Sequence, residues 1–366
     1  MTAAAHNRHV FLDSTIFDLQ LDGGISRYWF ELVSNLARRR EDWNLTLFAD
    51  PRTANKFGRK LIEVTAARRN VRLHEYIPSQ AGRFFGPRLS DEYKGFLWHS
   101  SYYRVPQRLN IPEICTVQDF VYERYPSGTY AWLQHHKKRR AILRARQIIC
   151  ASEATKRDLL EFYPHIADSI CHVVHHGLSQ AFHWTPDQPS SGKQSGPYVL
   201  FVGSRATYKN FRLTVLSVEA VPGMSLYVIG GKKLSDGELT LLNARLPNRH
   251  MIFGAPSDDD LRDLYRGATA LAYLSRCEGF GFPPLEAMAC GCPVVAMGSS
   301  SIPEVVGDAG MLLSSEDPAV VADALRSMQI TERRMNFIEK GIKRARQFTW
   351  DRTVDGTVAV YERALP

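Results

Sequence analysis

Two acidic residues eight positions apart bracket a glycine-rich turn in this chain, Glu278-Gly279-Phe280-Gly281-Phe282-Pro283-Pro284-Leu285-Glu286. Proline is tolerated in the first helical turn, where its missing N–H would have no partner, so Pro283 and Pro284 predict a helix that starts just after the glycines. The amino end of such a helix attracts anions through its N–H groups and its dipole, and glycine lets a ligand come close to the backbone. Glu278 precedes the turn and Glu286 sits about one turn into the helix. Both carboxylates can therefore meet hydroxyls of a ligand whose phosphate rests on Gly279, Phe280 and Gly281. That chemistry fits a sugar attached to a diphosphate. Read in isolation, Glu286 is a glutamate favoured by the helix dipole and Glu278 a solvated loop residue.

Other residues could share the work. Phe201-Val202-Gly203-Ser204-Arg205 leads from a strand into a loop that continues to Tyr208-Lys209-Asn210. Arg205 and Lys209 stand at one loop-to-helix corner, where two fixed cations could neutralise a departing diphosphate; cations at a helix start are otherwise disfavoured by the dipole. Thr116-Val117-Gln118-Asp119 ends another strand, and Gln118 can hydrogen-bond a hydroxyl but cannot exchange a proton near neutral pH. Ser257-Asp258-Asp259-Asp260 contains the string D-x-D, yet Ser257 as a cap and the aspartates at a helix start explain it without a metal. Cys171 and His172 diverge on a strand, so Cys171-His172-Val173-Val174-His175-His176 matches no usual zinc spacing.

The E-x7-E segment, set in E-G-F-G-F-P-P-L-E-A-M-A-C-G-C-P-V-V, resembles the retaining, nucleotide-sugar-dependent glycosyltransferases of family 4, whose fold is called GT-B. The resemblance runs along nearly the whole chain and is most specific from Tyr198 to Gly310. It implies that Glu278 lies against the transferred sugar, that Glu286 binds ribose hydroxyls, and that Arg205 and Lys209 grip the donor phosphates. It implies a loop at Gly23-Gly24 near the donor, making Gly24 a site residue, and places Ser299 to Gly307 beside the nucleotide. Gln118 and Asp119 become sugar or acceptor contacts. Many relatives carry histidine before that acid, so Gln118 is a departure. The acceptor proton would then pass to the leaving phosphate oxygen. No metal or other cofactor is expected. The Gly-Gly-Ile-Ser-Arg and Tyr-Lys-Asn-Phe segments look most like bacterial mannosyltransferases of surface polysaccharide synthesis, which points to GDP-mannose as donor and a saccharide or lipid-linked saccharide as acceptor. A UDP- or dTDP-sugar donor stays open, as do a sugar-nucleotide epimerase and a non-catalytic nucleotide-sugar-binding protein.

These residues need a large scaffold, and 366 residues exceed what one hydrophobic core usually supports. Strand-like and helix-like segments alternate, which argues for parallel α/β architecture. His9–Leu12, Leu45–Phe48, Val71–His74, Ile114–Val117, Ile148–Ala151 and Cys171–Val174 read as one set of strands. Tyr198–Val202, Leu226–Ile229, Met251–Phe253, Ala270–Tyr273 and Pro293–Ala296 read as a second. Between them, Phe182 to Gly196 has linker composition. The expected organisation is thus two Rossmann-like domains facing across a cleft: residues 1–185, an acceptor domain; 197–346, a nucleotide-sugar domain; and 347–366, a final helix opened by Thr349 or Asp351 and crossing back to the first domain.

Composition excludes little but orders the partners. Hydrophobic content is 44%, Met1 to His9 shows no signal-like apolar run, and no segment has the roughly eighteen apolar residues of a membrane span, which reads as cytoplasmic. Six cysteines in apolar stretches suit buried thiols in a reducing compartment. The net charge is +8, and residues 135–146 hold six Lys or Arg and no acid. A helix there could lie on an anionic leaflet, hold an anionic acceptor, or simply be solvated. This gives peripheral contact at the inner face of the cytoplasmic membrane as one expectation. With no recognisable nucleic-acid module, nucleic acid is not an expected partner.

Overall fold

A computed structural model describes residues 8–21, 23–75, 86–87, 96–107, 111–126, 128–184 and 196–365. Most of the linker read from composition, residues 185–195, and Met1 to Asn7 lie outside them. The chain divides into two compact units, residues 1–177 with 349–366, and residues 178–348.

The first unit carries seven strands, β1 (His9–Asp13), β2 (Asn44–Ala49), β3 (Val71–Glu75), β4 (Leu97–Ser100), β5 (Glu113–Val117), β6 (Gln147–Cys150) and β7 (Cys171–Val173). All pair in parallel in the order β3-β2-β1-β4-β5-β6-β7. Strands covered on both faces read as continuous apolar runs, as Val10 to Leu12 and Ile148 to Cys150 do. β4 was not among the expected strands. His99 and Ser100 interrupt its apolar pattern, yet all four of its residues are buried. The His99 ring is satisfied by the hydroxyls of Thr116, 2.8 Å from Nε2, and Tyr361, 2.7 Å from Nδ1. The helix Gly24–Arg39 buries Tyr28, Leu32, Val33 and Leu36, the face its helical spacing predicts.

The last helix, Trp350–Ala364, is part of this first unit. Thr349 caps it by accepting from Arg352 N–H. It packs on the Gly24–Arg39 helix and on β6. The Thr353 hydroxyl donates to the His175 carbonyl at 2.8 Å.

The second unit has six parallel strands, β8 (Tyr198–Val202), β9 (Ser225–Ile229), β10 (His250–Phe253), β11 (Ala270–Tyr273), β12 (Val294–Met297) and β13 (Met311–Leu313), ordered β10-β9-β8-β11-β12-β13. The three-residue β13 escaped the sequence reading because it is too short to show a period. A core of Val199, Phe201, Leu226, Val228, Leu271, Val295 and neighbouring helix residues fills the unit. Its boundary with the first unit falls at Gly177, where the sequence suggested residue 185. Phe182 packs edge-on against Tyr265 at 6.1 Å, and Arg262 and Arg266 donate to the carbonyls of Ala181 and His183, which joins residues 178–184 to the second unit.

Candidate functional site

In sheets of this kind ligands bind beyond the carboxyl ends of the strands, where the strand order reverses. In the second unit that point lies between β8 and β11. The loop after β8 starts with Gly203 at φ +127°, continues through a 3-10 turn, Thr207–Lys209, and reaches Asn210 at φ +54°. Asparagine tolerates this left-handed conformation better than most residues. Its side-chain amide donates to the Leu274 carbonyl at 2.9 Å and to Glu316 Oε1 at 3.1 Å, while Arg276 N–H donates to the Tyr208 carbonyl at 2.8 Å. The β8 and β11 loops are thereby stitched together.

This stitching brings Lys209 and Glu278 into contact, Nζ to Oε1 at 2.6 Å, with both side chains 13% exposed. The ammonium also lies 5.4 Å from the Tyr273 ring centre and 5.5 Å from that of Tyr208. Burial, followed by the charge of Glu278 and a hydrogen bond to it, pushes the Tyr273 phenol well above its ordinary pKa. Tyr273 therefore keeps its proton and can donate to Glu278.

After Glu278 the chain turns through Gly279, Phe280 and Gly281 into the helix Phe282–Ala289. Gly281 caps that helix at φ +117°, and a Cβ there would lie 3.0 Å from Ile302 Cδ1, so backbone conformation and space both call for glycine. Pro283 and Pro284 sit in the first turn, as their sequence position suggests. Since neither has an N–H, the backbone donors at this end of the helix belong to the turn and to Phe282. Glu286 faces inward at 6% exposure and accepts from the Tyr265 hydroxyl at 3.2 Å. Burial first, then the Glu286 charge, pushes the Tyr265 phenol well above its usual range.

Arg205 does not stand open beside Lys209 as the shared corner suggested. Its side chain is 5% exposed, and its guanidinium donates to the Gly230 carbonyl at 3.0 Å, to the Lys232 carbonyl, and to Glu238 Oε1 at 3.1 Å. Glu238 is in turn half of a capping box with Ser235. A planar guanidinium matches two carbonyls and a carboxylate better than a lone ammonium would. Gly231 makes room for it: a Cβ there would fall 2.7 Å from Nη1.

Gly24, Gln118 and Asp119 belong to the first unit. Gly24 is exposed in the first turn of its helix. Gln118, 8% exposed, follows β5, and its Oε1 lies 2.9 Å from His176 Nε2. Burial, with His175 nearby, drives the His176 pKa down to about 3. The ring is neutral at ordinary pH, so it donates Nε2–H to the amide oxygen. Asp119 Oδ1 accepts from Val121 N–H at 3.1 Å, two residues on, just before the short helix Val121–Arg124. Its carbonyl accepts from the buried Lys138, which also pairs with Glu123 at 2.7 Å.

Sequence reasoning did not single out Tyr273, Tyr265 or Asn210. Tyr273 and Asn210 lie at the carboxyl end of a strand and at the turn into a helix, positions that could have drawn attention. The Tyr265 partnership is visible only in three dimensions. Among the described residues no cluster of three or more His, Cys, Asp or Glu side chains could hold a metal, and Ser257 caps its helix by accepting from Asp260 N–H.

Comparison with known proteins agrees with this layout. Residues 22–181 match the family described as Glycosyltransferase Family 4, and residues 185–344 match Glycosyl transferases group 1. O-antigen chain mannosyltransferase B of Escherichia coli is 28% identical over 93% of this chain and 96% of that protein. D-inositol 3-phosphate glycosyltransferase of Acidothermus cellulolyticus is 30% identical over 57% of this chain and 51% of its own length. HepE of Anabaena, solved in complex with UDP and glucose, superposes with a TM-score of 0.69 over 98% of this chain and all of its own, at 17% identity. WaaG, a glycosyltransferase involved in lipopolysaccharide biosynthesis, gives 0.68 over 96% and 98%, at 14% identity. With two parallel-sheet Rossmann-like halves and family matches on both, this chain belongs to the family 4 glycosyltransferases of the GT-B fold.

Proposed function

We propose that this glycosyltransferase moves mannose from GDP-mannose, with retention of anomeric configuration, to a saccharide or lipid-linked saccharide in surface polysaccharide synthesis. The observation that carries the donor site is the Lys209–Glu278 contact beside the Gly279–Gly281 turn, at the strand-order reversal of the second sheet. The similarity to O-antigen chain mannosyltransferase B along nearly its full length supports the sugar and the acceptor class.

In this reading the bond between the anomeric carbon and the diphosphate oxygen breaks, and its electron pair leaves with the diphosphate. The Lys209 ammonium and the turn amides receive that charge. Glu278 holds sugar hydroxyls and eases the positive charge on the sugar, while Glu286 takes the nucleotide ribose. The acceptor hydroxyl joins the face the diphosphate leaves and passes its proton to a leaving phosphate oxygen. Gly24, Gln118 and Asp119 are assigned to the sugar and the acceptor. Arg205, tied to Gly230 and Lys232, supports the site as scaffold. Lys209 and the amides supply the counter-charge, so no metal enters the proposal.

A UDP-sugar donor is the second reading, favoured by the HepE complex with UDP and glucose. Thermal shift with GDP-mannose, UDP-glucose and other nucleotide sugars separates the two, because ligand binding raises apparent stability by mass action. Proton NMR of the product made from the binding donor then reads the anomeric configuration. An inverted product, or neither transfer nor donor hydrolysis with any of them, refutes the mechanism.

Peripheral contact with an anionic membrane at its cytoplasmic face completes the proposal. The helix Gly128–Arg144 exposes Trp132 (63%), Tyr130, Arg139 and Arg140, aromatic anchors and cations of the kinds that meet lipid headgroups. Among the described residues no helix is long and apolar enough to cross a membrane. Sedimentation with vesicles containing anionic lipid tests the contact. Trp132→Ala with Arg139→Glu should abolish it, and equal binding to neutral vesicles would count against it.

A further inference from the structure

The loop after β12 breaks two local rules within two residues. Ser300 adopts φ +54°, a left-handed conformation that serine seldom takes. Ser301 occupies the cap position of the helix Ile302–Val306, where serine ordinarily accepts a hydrogen bond from that helix, yet it makes no side-chain cap. Both hydroxyls are instead turned toward the turn after Glu278. Ser300 Oγ donates to the Glu278 carbonyl at 2.7 Å and accepts from the Glu278 N–H at 3.3 Å. Ser301 Oγ, fully buried, lies 2.8 Å from the Phe280 carbonyl and 2.9 Å from that of Glu278. As Ser300 already serves Glu278, the single proton of Ser301 is best used on Phe280.

Both clamped carbonyls belong to peptide units that lead into a glycine, Glu278–Gly279 and Phe280–Gly281. Those are the units that flip most cheaply, because glycine accepts either sign of φ. A trans peptide points its N–H opposite its C=O, and the chain has no cis bonds among the described residues. Fixing the two carbonyls on the serines therefore fixes the N–H groups of Gly279 and Gly281 on the other side. Local irregularities that all act on one neighbouring loop are expected where function, rather than folding, sets the residue.

We propose that Ser300 and Ser301 are positioning residues that lock the Gly279 and Gly281 amides toward the donor diphosphate and fix the backbone from which Glu278 projects. This rests on the donor site proposed above. Ser300→Gly is the decisive variant, since it removes the hydroxyl while relieving the left-handed φ. Calorimetric titration with GDP, and with UDP if GDP is not bound, reads the clamp directly. The variant should keep or raise its melting temperature yet bind the nucleoside diphosphate about tenfold more weakly, a change of about 1.4 kcal/mol. Ser301→Ala should weaken binding by a similar factor, and GMP or UMP should lose less than the diphosphate in both variants. If wild type binds the diphosphate and both variants bind it equally well, the clamp is refuted while the donor site stands. Equal losses for monophosphate and diphosphate would show a general structural role and also overturn it. Wild type that binds neither nucleoside diphosphate overturns the donor site and the clamp together.

Discussion

Replacing Arg205 by methionine separates a scaffold from a phosphate ligand. The guanidinium is almost wholly buried and joins the β8 loop to the Gly230–Lys232 turn and to the first turn of the helix Asp236–Arg245. Hydrogen bonds to charged groups contribute about 1.5–3 kcal/mol each. Water can take over at the exposed Lys232 carbonyl, and the pair with the partly exposed Glu238 adds under about 1 kcal/mol. The net loss is about 2–4 kcal/mol, and at 2–4 °C per kcal/mol for a unit of this size the second unit should melt about 4–16 °C lower. Scanning calorimetry with deconvolution of the two units should show that shift in the second transition and leave the first in place. Arg205→Lys should recover little, because an ammonium cannot reproduce the fork. A variant that melts within about 1 °C of wild type but binds donor a hundredfold more weakly would refute this account and return Arg205 to the phosphates.

Four further outcomes follow from the same geometry. Glu278→Ala should lower turnover at least about tenfold, about 1.4 kcal/mol of barrier, and near-normal turnover removes Glu278 from the reaction. Glu286→Ala should chiefly weaken donor binding, so an unchanged dissociation constant in a titration refutes its assignment to the ribose. His99 and His176 are held neutral by burial, each at about 3 against 6.5 unfolded, so their contribution is intact above pH 6.5 and is lost as the pH falls and the unfolded chain takes up protons. Each should cost about 1.4 kcal/mol by about pH 5.5, and denaturant titrations showing the first unit equally stable at about pH 8 and 5.5 would mean the rings are charged when folded. Turnover should survive excess EDTA, since Lys209 and the turn amides supply the counter-charge; abolition restored by a divalent cation would show a metal to be required.

Local signals in the chain are strong where backbone conformation decides. Gly281 followed by two prolines announces the helix it caps, and the apolar runs at Tyr198–Val202 and Ala270–Tyr273 announce buried strands. Pairings between distant residues leave no such trace. β4 pairs with β1 and β5, and the burial of its His99 is satisfied by Thr116 and by Tyr361, 262 positions away, which nothing near His99 in the sequence reveals. Arg205 looked like half of a cationic pair because Lys209 is close in sequence, whereas Gly230, Lys232 and Glu238 claim it in space. The burial of Glu286 needs the Tyr265 hydroxyl, and although resemblance places the Ser299–Gly307 loop beside the nucleotide, the carbonyls that Ser300 and Ser301 hold are visible only in space.

Because the helix Trp350–Ala364 that closes the first unit is encoded after the whole of the second, the first unit cannot be completed until residues 178–348 have been synthesised. The second unit, encoded in between, is finished earlier, so maturation runs against the order of synthesis. Until Tyr361 arrives, His99 lacks one of its two partners and the faces of β6 and of the Gly24–Arg39 helix destined for that closing helix stay uncovered.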